Sequence, residues 1–408
     1  MTYRYVIIGG GMTADAAAKA IRKADPDGSL LLVSDETVAP YKRPPLSKGL
    51  WKGDDETKVD LKTTGLGGEL RLGRRATRLD LANRRVQLDD GQEVGYERLL
   101  LATGASAREL PGAPSGGPVV AYRHLDDYHT ARARSGPGRV AVVVGGGFIG
   151  SEMAAALSLA GGEVHLVFPE ELLGAGRLPP EVARLVNAKY AAHGVQLHPN
   201  SRVAGARVHG ERVTVSLKAG ADLEADLLVV GIGAVPNDAI ARAAGLHVDN
   251  GVWVDGHLRA ELAASAAPVK GELGVFAAGD VANFEFPGLG RRLRIEHEDN
   301  AYQMGAAAGQ QMAASIGGPP ADPYTHLPFF YSDLFDDGYE AVGLLDGRLD
   351  VVADWSDPGK AGVFYFMEGR LVRGVLLWNT WGQVDAARDL IVAGAELTPA
   401  ELKGRLPA

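Results

Sequence analysis

Two stretches of the chain repeat one pattern: a short apolar run, a glycine turn, and an alanine-rich segment with helical spacing of its apolar positions. The first runs from about Tyr3 to Lys23 and the second from Arg139 to Ala160. Runs such as Tyr5-Val6-Ile7-Ile8 and Val142-Val143-Val144 are apolar at every position, which predicts strands covered on both faces. A strand that feeds a helix through a glycine turn opens a βαβ unit, so the pattern predicts a duplicated α/β fold. Further strands are expected over Ser29 to Ser34, Glu163 to Phe168 and Val275 to Ala278, and a helix over Asn300 to Ser315. Pro111-Gly112-Ala113-Pro114 and Gly136-Pro137-Gly138 punctuate the chain between the two copies. Gly317-Gly318-Pro319-Pro320 with Pro323 sets off a tail with strand-like runs at Gly362 to Met367 and Leu371 to Trp378, read as a third, α+β domain.

The turns carry the chemistry. In the first copy the strand feeds Gly9-Gly10-Gly11-Met12-Thr13-Ala14, a G-x-G-x-x-A fingerprint. Gly9 permits the tight turn, Gly11 lets backbone approach a pyrophosphate, and the small Ala14 lets the helix pack on the sheet with its N-terminus toward the anion. The next strand ends at Asp35-Glu36, where a carboxylate accepts hydrogen bonds from an adenosine ribose. A lone fingerprint reads equally well as a ligand-free glycine turn. The second copy, Gly145-Gly146-Gly147-Phe148-Ile149-Gly150, followed by a strand and Glu170, makes coincidence a poor explanation. Glu170-Glu171 would repel a 2′-phosphate and no Lys or Arg directly follows that strand, so NADH is favoured over NADPH, against which Arg177 weighs a little; Glu170 also reads as a solvated loop acid. Two dinucleotide folds in one chain imply two dinucleotides, one held and one exchanging, with reactive rings that meet.

Composition narrows this further. A formal net charge of -9, from 51 acidic and 42 Lys and Arg residues among 408, leaves no broad basic surface for nucleic acid. No apolar run reaches the roughly 18 residues that cross a bilayer, and no signal or transit peptide is expected. The chain has no cysteine, which excludes disulfides, thiolate metal sites and a redox-active thiol pair; a cytoplasmic location is expected. The 54 glycines are spread among turns, so no long disordered tract is predicted. Histidines show no metal-ligand spacing, and no metal is assigned.

The chain resembles the two-dinucleotide-binding flavoprotein reductases, and within them the apoptosis-inducing-factor group and its bacterial relatives, neighbours of the ferredoxin reductases of oxygenase systems. The resemblance covers nearly the whole sequence. It rests on Pro40-Tyr41-Lys42-Arg43-Pro44-Pro45-Leu46-Ser47-Lys48, Ala102-Thr103-Gly104, Gly145 to Glu152, Val235-Pro236-Asn237, Ala278-Gly279-Asp280, Glu296-His297, and Tyr331-Ser332-Asp333-Leu334 with Gly338-Tyr339-Glu340. It implies a glutathione-reductase-like fold: a discontinuous FAD-binding domain over 1–117 and 235–320, an NADH-binding domain over 118–234, and a C-terminal domain over 321–408.

By this similarity Gly9, Gly11, Thr13 and Ala14 cradle the FAD pyrophosphate, with Asp35 and Glu36 on the adenosine side and Arg43, Ala76, Thr103, Gly104 and Arg123 also on FAD. Asp280 holds the ribityl chain or the adjacent phosphate, Glu296 and His297 lie at the flavin pyrimidine edge, and Tyr331 stacks near the ring. NADH falls to Gly145, Gly147, Phe148, Ile149, Gly150, Glu152, Glu170, Gly233 and Glu340. Lys48 and Glu152 are the expected catalytic pair: an ammonium near flavin N5 stabilises the charge that develops on reduction, and a carboxylate fixes its position. From spacing alone Lys48 also reads as an exposed loop lysine, Glu152 as a first-turn helix acid, Asp280 as a helix cap, Arg43 as a surface charge and His297 as a backbone-bonded structural residue.

Two departures from the family stand out. Tyr331 replaces the tryptophan common before Ser-Asp-Leu in animal members, and Glu298 replaces a second histidine after Glu296. The long insertion of animal members is missing between Leu349 and Gly362, so regulation through it is not carried over. The expected reaction is hydride transfer from NADH to FAD, with electrons passed directly to a non-thiol acceptor such as a quinone, oxygen, a small oxidant or an iron–sulfur protein. Two rival readings are an NADH-dependent ferredoxin or rubredoxin reductase, and a redox sensor whose NADH-driven dimerisation or partner choice is the function.

Overall fold

The structure is a computed structural model that describes residues 1–269 and 271–406. The chain divides into two compact units. The first comprises 1–42, 56–106 and 235–328, and the second 43–55, 107–234 and 329–408. These boundaries do not coincide with the expected domain ranges: residues 43–55 and 107–117 group with the second unit, and 321–328 with the first. Residues 43–55 hold only two short 3-10 turns, Pro44–Ser47 and Gly49–Lys52, which cannot form a core of their own and take their place from what they pack on.

In the first unit the predicted strand Thr2–Ile8 is the centre of a parallel ladder, paired with Leu30–Val33 on one side and Glu93–Leu101 on the other. Val6 and Ile7 are fully buried, as their all-apolar run requires. Val275–Ala277 adds to Glu93–Leu101, also in parallel, so a strand from late in the chain completes a sheet begun at its start. The helix Met12–Ala24 follows the glycine turn and buries its alanines. The predicted late helix spans Glu298–Ala314, two residues earlier at its start than its apolar pattern suggests, because Glu298 and Asp299 are polar first-turn residues that suit the positive end of the helix dipole.

The second unit repeats the plan. Val140–Val144 pairs in parallel with Glu163–Val167 and Leu227–Val230, flanked by Gln196–His198 and Val119–Ala121. The C-terminal segment forms a five-stranded antiparallel sheet in the order Phe329–Leu334, Asp337–Gly343, Leu371–Trp378, Ala361–Glu368, Asp350–Asp357. The helix Val384–Ala393 packs on it and stops at Gly394, whose φ of 60° suits a helix end.

The first hairpin of that sheet is pinned at its tip. Its two-residue loop places Phe335 at φ 63°, a conformation usually left to glycine or asparagine. The Phe335 ring stacks on His193 at 3.8 Å between centroids and meets Tyr190 edge-on at 5.0 Å. Lys189, on the helix Pro180–Ala192, pairs with Asp336 at 2.7 Å and Asp337 at 2.5 Å. Ring contacts and charge together hold the strained turn against that helix.

Candidate functional site

In the first unit the fingerprint turn is built as its residues demand. Gly9 has φ 130°, and a Cβ there would lie 2.0 Å from the Ala102 carbonyl oxygen, so no other residue fits. Gly11 is different: it caps the helix Met12–Ala24 with extended backbone, and a Cβ there would meet no atom within 4 Å. The side-chain direction at the helix start is therefore open, which lets a ligand approach the backbone there closely. Ala14 and Thr13 are buried beneath it, and Gly279 lies against Thr13, which brings the Asp280 turn to the same place.

Asp280 lies inside the 3-10 turn Gly279–Val281, as an acid of its first turn, and the cap of that turn is Ala278. Its carbonyl accepts from Arg294 at 3.0 Å, and the same guanidinium pairs with Glu296 at 2.5 Å. His297 caps the helix Glu298–Ala314 through its backbone. Thr103 and Asn237 are tied reciprocally: the Thr103 hydroxyl donates to the Asn237 carbonyl at 2.7 Å, and the Asn237 amide donates to the Thr103 carbonyl at 2.9 Å. Gly104 follows at φ 67°. At the end of Leu30–Val33, Asp35 pairs with Arg75 at 3.0 Å, next to Ala76, while Glu36 accepts from the Tyr41 hydroxyl at 2.6 Å. Both carboxylates thus stand at the strand end where the ribose partner was expected.

The second unit carries its own cradle. A Cβ at Gly145 would lie 2.3 Å from the Gly231 carbonyl oxygen, and one at Gly150 would lie 1.8 Å from the Gly145 carbonyl oxygen. The second copy thus packs too closely for the alanine that the first copy carries as Ala14. Gly147 caps the helix Phe148–Leu159, and a cleft beside it is lined by Phe148, Ser151, Leu173, Arg177 and Tyr339. Arg177 lies over the Phe148 ring at 4.9 Å. Ile149, Glu170 and Gly233 are exposed, with Glu170 just past the strand Glu163–Val167.

The densest polar arrangement of this unit centres on Glu152. Its Oε2 accepts from Lys48 Nζ at 2.6 Å and from the Ser47 hydroxyl at 2.6 Å, while Oε1 accepts from the Ser332 hydroxyl at 2.8 Å. The Glu152 side chain is 3% exposed and that of Lys48 is 13% exposed. Lys48 is therefore not a loop lysine in solvent, and Glu152 lies beyond the first turn of its helix, so dipole complementation does not explain it. Burial, and then the Glu152 charge, hold the phenols of Tyr190 and Tyr339 far above their ordinary range. Lys48 Nζ also lies 5.3 Å from the centre of the Tyr331 ring. The turn that carries Ser47 and Lys48 is tied down through Leu46, whose carbonyl accepts from Trp51 Nε1 at 2.8 Å and from the Tyr122 hydroxyl. Arg43 donates to the Arg123 carbonyl at 3.0 Å.

Glu340 is paired with Tyr331 across the hairpin of Phe329–Leu334 and Asp337–Gly343. Its Oε2 is buried with no hydrogen-bond partner, and burial raises its pKa against the pull of the Gly382 N–H. Ser47 and Ser332 are the functional candidates that sequence reading passes over. Both stand inside the family markers, yet only the fold brings them to one carboxylate. Among the described residues no cluster of side chains could hold a metal, and no helix is long and apolar enough to cross a membrane.

The pyridine nucleotide-disulphide oxidoreductase family profile matches residues 3–305. The chain is 35% identical over 410 residues to the ferredoxin–NAD(+) reductase component of the anthranilate 1,2-dioxygenase system of Burkholderia cepacia, covering 98% of this chain and 96% of the relative. It is 31% identical over 429 residues to the mitochondrial apoptosis-inducing factor 1 of Dictyostelium discoideum, covering 96% and 78%. Among solved structures it superposes on the covalent putidaredoxin reductase–putidaredoxin complex with a TM-score of 0.88 at 28% identity, covering 98% of this chain and 95% of the other. This is the fold of the two-dinucleotide-binding flavoproteins. Taken with the duplicated cradle, these matches mean that the chain belongs to the pyridine nucleotide-disulphide oxidoreductase family as an apoptosis-inducing-factor-like and ferredoxin-reductase-like member, an oxidoreductase that uses FAD and NADH.

Proposed function

We propose that this oxidoreductase takes its electrons from NADH and delivers them to a ferredoxin-type iron–sulfur protein, with Lys48 and Glu152 as the residues that act on the reaction. FAD, when bound, supplies the passage from a two-electron donor to a one-electron acceptor. The observation that carries the reading is the buried Lys48–Glu152 pair, in a chain with no cysteine to relay electrons. A fixed ammonium costs nothing to reorient as negative charge builds during reduction, and Glu152 holds it in place. Tyr331 offers an aromatic face beside the same ammonium.

The residues present fit both dinucleotides. The open space over Gly11 fits a pyrophosphate on the first helix, with Asp35 and Glu36 on the ribose beyond it. The Gly147 cap and its cleft fit the second dinucleotide, with Glu170 positioned to reject a 2′-phosphate. The orphaned Glu340 Oε2 fits a donor such as a carboxamide N–H. Each of the other expected contacts, from Arg43, Thr103 and Asp280 to Glu296, His297 and Gly233, belongs to the same proposal.

The named relatives support the choice of acceptor, since one of them is a ferredoxin–NAD(+) reductase by name and another is a reductase in complex with putidaredoxin. Anaerobic titration of the purified protein with NADH, followed by reoxidation with a [2Fe–2S] ferredoxin, a quinone and oxygen in turn, tests it. Bleaching of the flavin with fastest return on ferredoxin is expected. Bleaching followed by slow return on every oxidant, with a change in oligomer size, would favour a sensing role instead.

A further inference from the structure

We infer that Ser332 is a positioning residue for the reaction: its hydroxyl sets the orientation of the Glu152 carboxylate and, through it, the placement of the Lys48 ammonium. The role rests on the proposed catalytic pair and extends it to a strand of the C-terminal sheet.

The geometry assigns different tasks to the two carboxylate oxygens. Oε2 receives both Lys48 and Ser47, whose hydroxyl and ammonium come from one short turn. A carboxylate held through one oxygen alone can still rotate about that contact. Oε1 is fixed by Ser332, from the strand Phe329–Leu334, 180 residues away in sequence. Ser332 is 1% exposed and Glu152 4% exposed, so water cannot replace the donor without a cavity opening. A buried carboxylate stripped of one donor finds its best alternative in its remaining partners, which would pull Lys48 into a new position. The same strand carries Tyr331, whose ring lies beside the Lys48 ammonium. One strand thus bears on the cation twice, once by contact and once by way of Glu152.

The test compares Ser332→Ala, Ser332→Thr and Ser332→Cys with the unaltered full-length flavoprotein. Two readouts are taken: the limiting rate of anaerobic flavin reduction by NADH, and the rate at which an amine reagent labels Lys48, followed by peptide mass spectrometry. Removing a hydrogen bond to a buried charge should slow the limiting rate about tenfold and change the half-saturating NADH concentration less than about twofold. Labelling of Lys48 should rise about threefold or more as the carboxylate loosens. Ser332→Thr keeps the hydroxyl and should restore both readouts, while Ser332→Cys, with a weak donor of similar size, should fall between. Unchanged rates and unchanged labelling in Ser332→Ala or Ser332→Cys would overturn the inference, as would equal losses in Ser332→Thr. Should NADH fail to reduce the unaltered protein, the functional proposal fails, and Lys48 labelling still decides whether Ser332 governs the pair.

Discussion

Tyr331 and Glu340 stand directly opposite each other across the antiparallel pair Phe329–Leu334 and Asp337–Gly343, so their side chains leave the same face of the hairpin. One of these side chains lies beside the Lys48 ammonium, and the other ends in a buried oxygen with no hydrogen-bond partner. Burial raises the Glu340 pKa in the folded protein. The folded state then binds more protons than the unfolded chain between the ordinary glutamate value, about 4.3, and the raised one. Glu340 therefore favours the fold below that window and loses its contribution as pH climbs through it. Glu340→Gln should melt at nearly the same temperature as the parent near pH 4 and at a higher one at pH 7 to 8. Thermal melts across pH check this, and a difference that stays constant with pH would assign the effect to another group.

Lys48→Ala should slow flavin reduction by NADH roughly a hundredfold, the scale on which a preorganised donor acts at developing charge. FAD retention should change far less, because the ammonium is bonded to Glu152 rather than to the cradle around Gly11. Stopped-flow reduction and flavin release on dilution measure the two separately. Parallel losses in both would reduce Lys48 to a structural role.

Gly11→Val should give a folded protein without flavin. The backbone at Gly11 is extended and its side-chain direction is empty, so valine fits the chain and fills only the space over the helix start. Gly9→Val, by contrast, collides with the Ala102 carbonyl and should not fold at all. Circular dichroism together with the visible spectrum separates these cases, and a yellow Gly11→Val protein would remove the first cradle from the proposal.

Glu170→Ser should narrow the preference for NADH over NADPH roughly five- to tenfold, the worth of one like-charge contact at an exposed site. The ratio of kcat/KM for the two nucleotides reports it. An unchanged ratio would return Glu170 to the status of a solvated loop acid.

The duplicated cradle was legible because its signals are local. Gly9, Gly11, Gly145 and Gly150 sit within a few residues of the strands and helices they join, and their spacing states the geometry. Lys48 and Glu152 were legible only through resemblance, since a loop lysine and a helix acid carry no distance between them in sequence. Ser332 could not be read at all as a partner of Glu152, because a buried serine in an alternating strand looks like any other and its role depends on a contact across 180 residues. The grouping of 43–55 with the second unit escaped for a related reason: short 3-10 turns have no periodicity, and their place is decided by long-range bonds such as those that meet at the Leu46 carbonyl.

The strained tip at Phe335 also bears on how the protein meets its ligands. Held by a ring stack and two ion pairs to the helix Pro180–Ala192, the hairpin behaves as a bracket and not as a flap. Tyr331, Ser332 and Glu340 ride on that bracket, so their rotational freedom is already surrendered when the chain folds. Under the proposed function, a nucleotide arriving there would find its contacts already ordered, and its binding energy would not be diverted into ordering them.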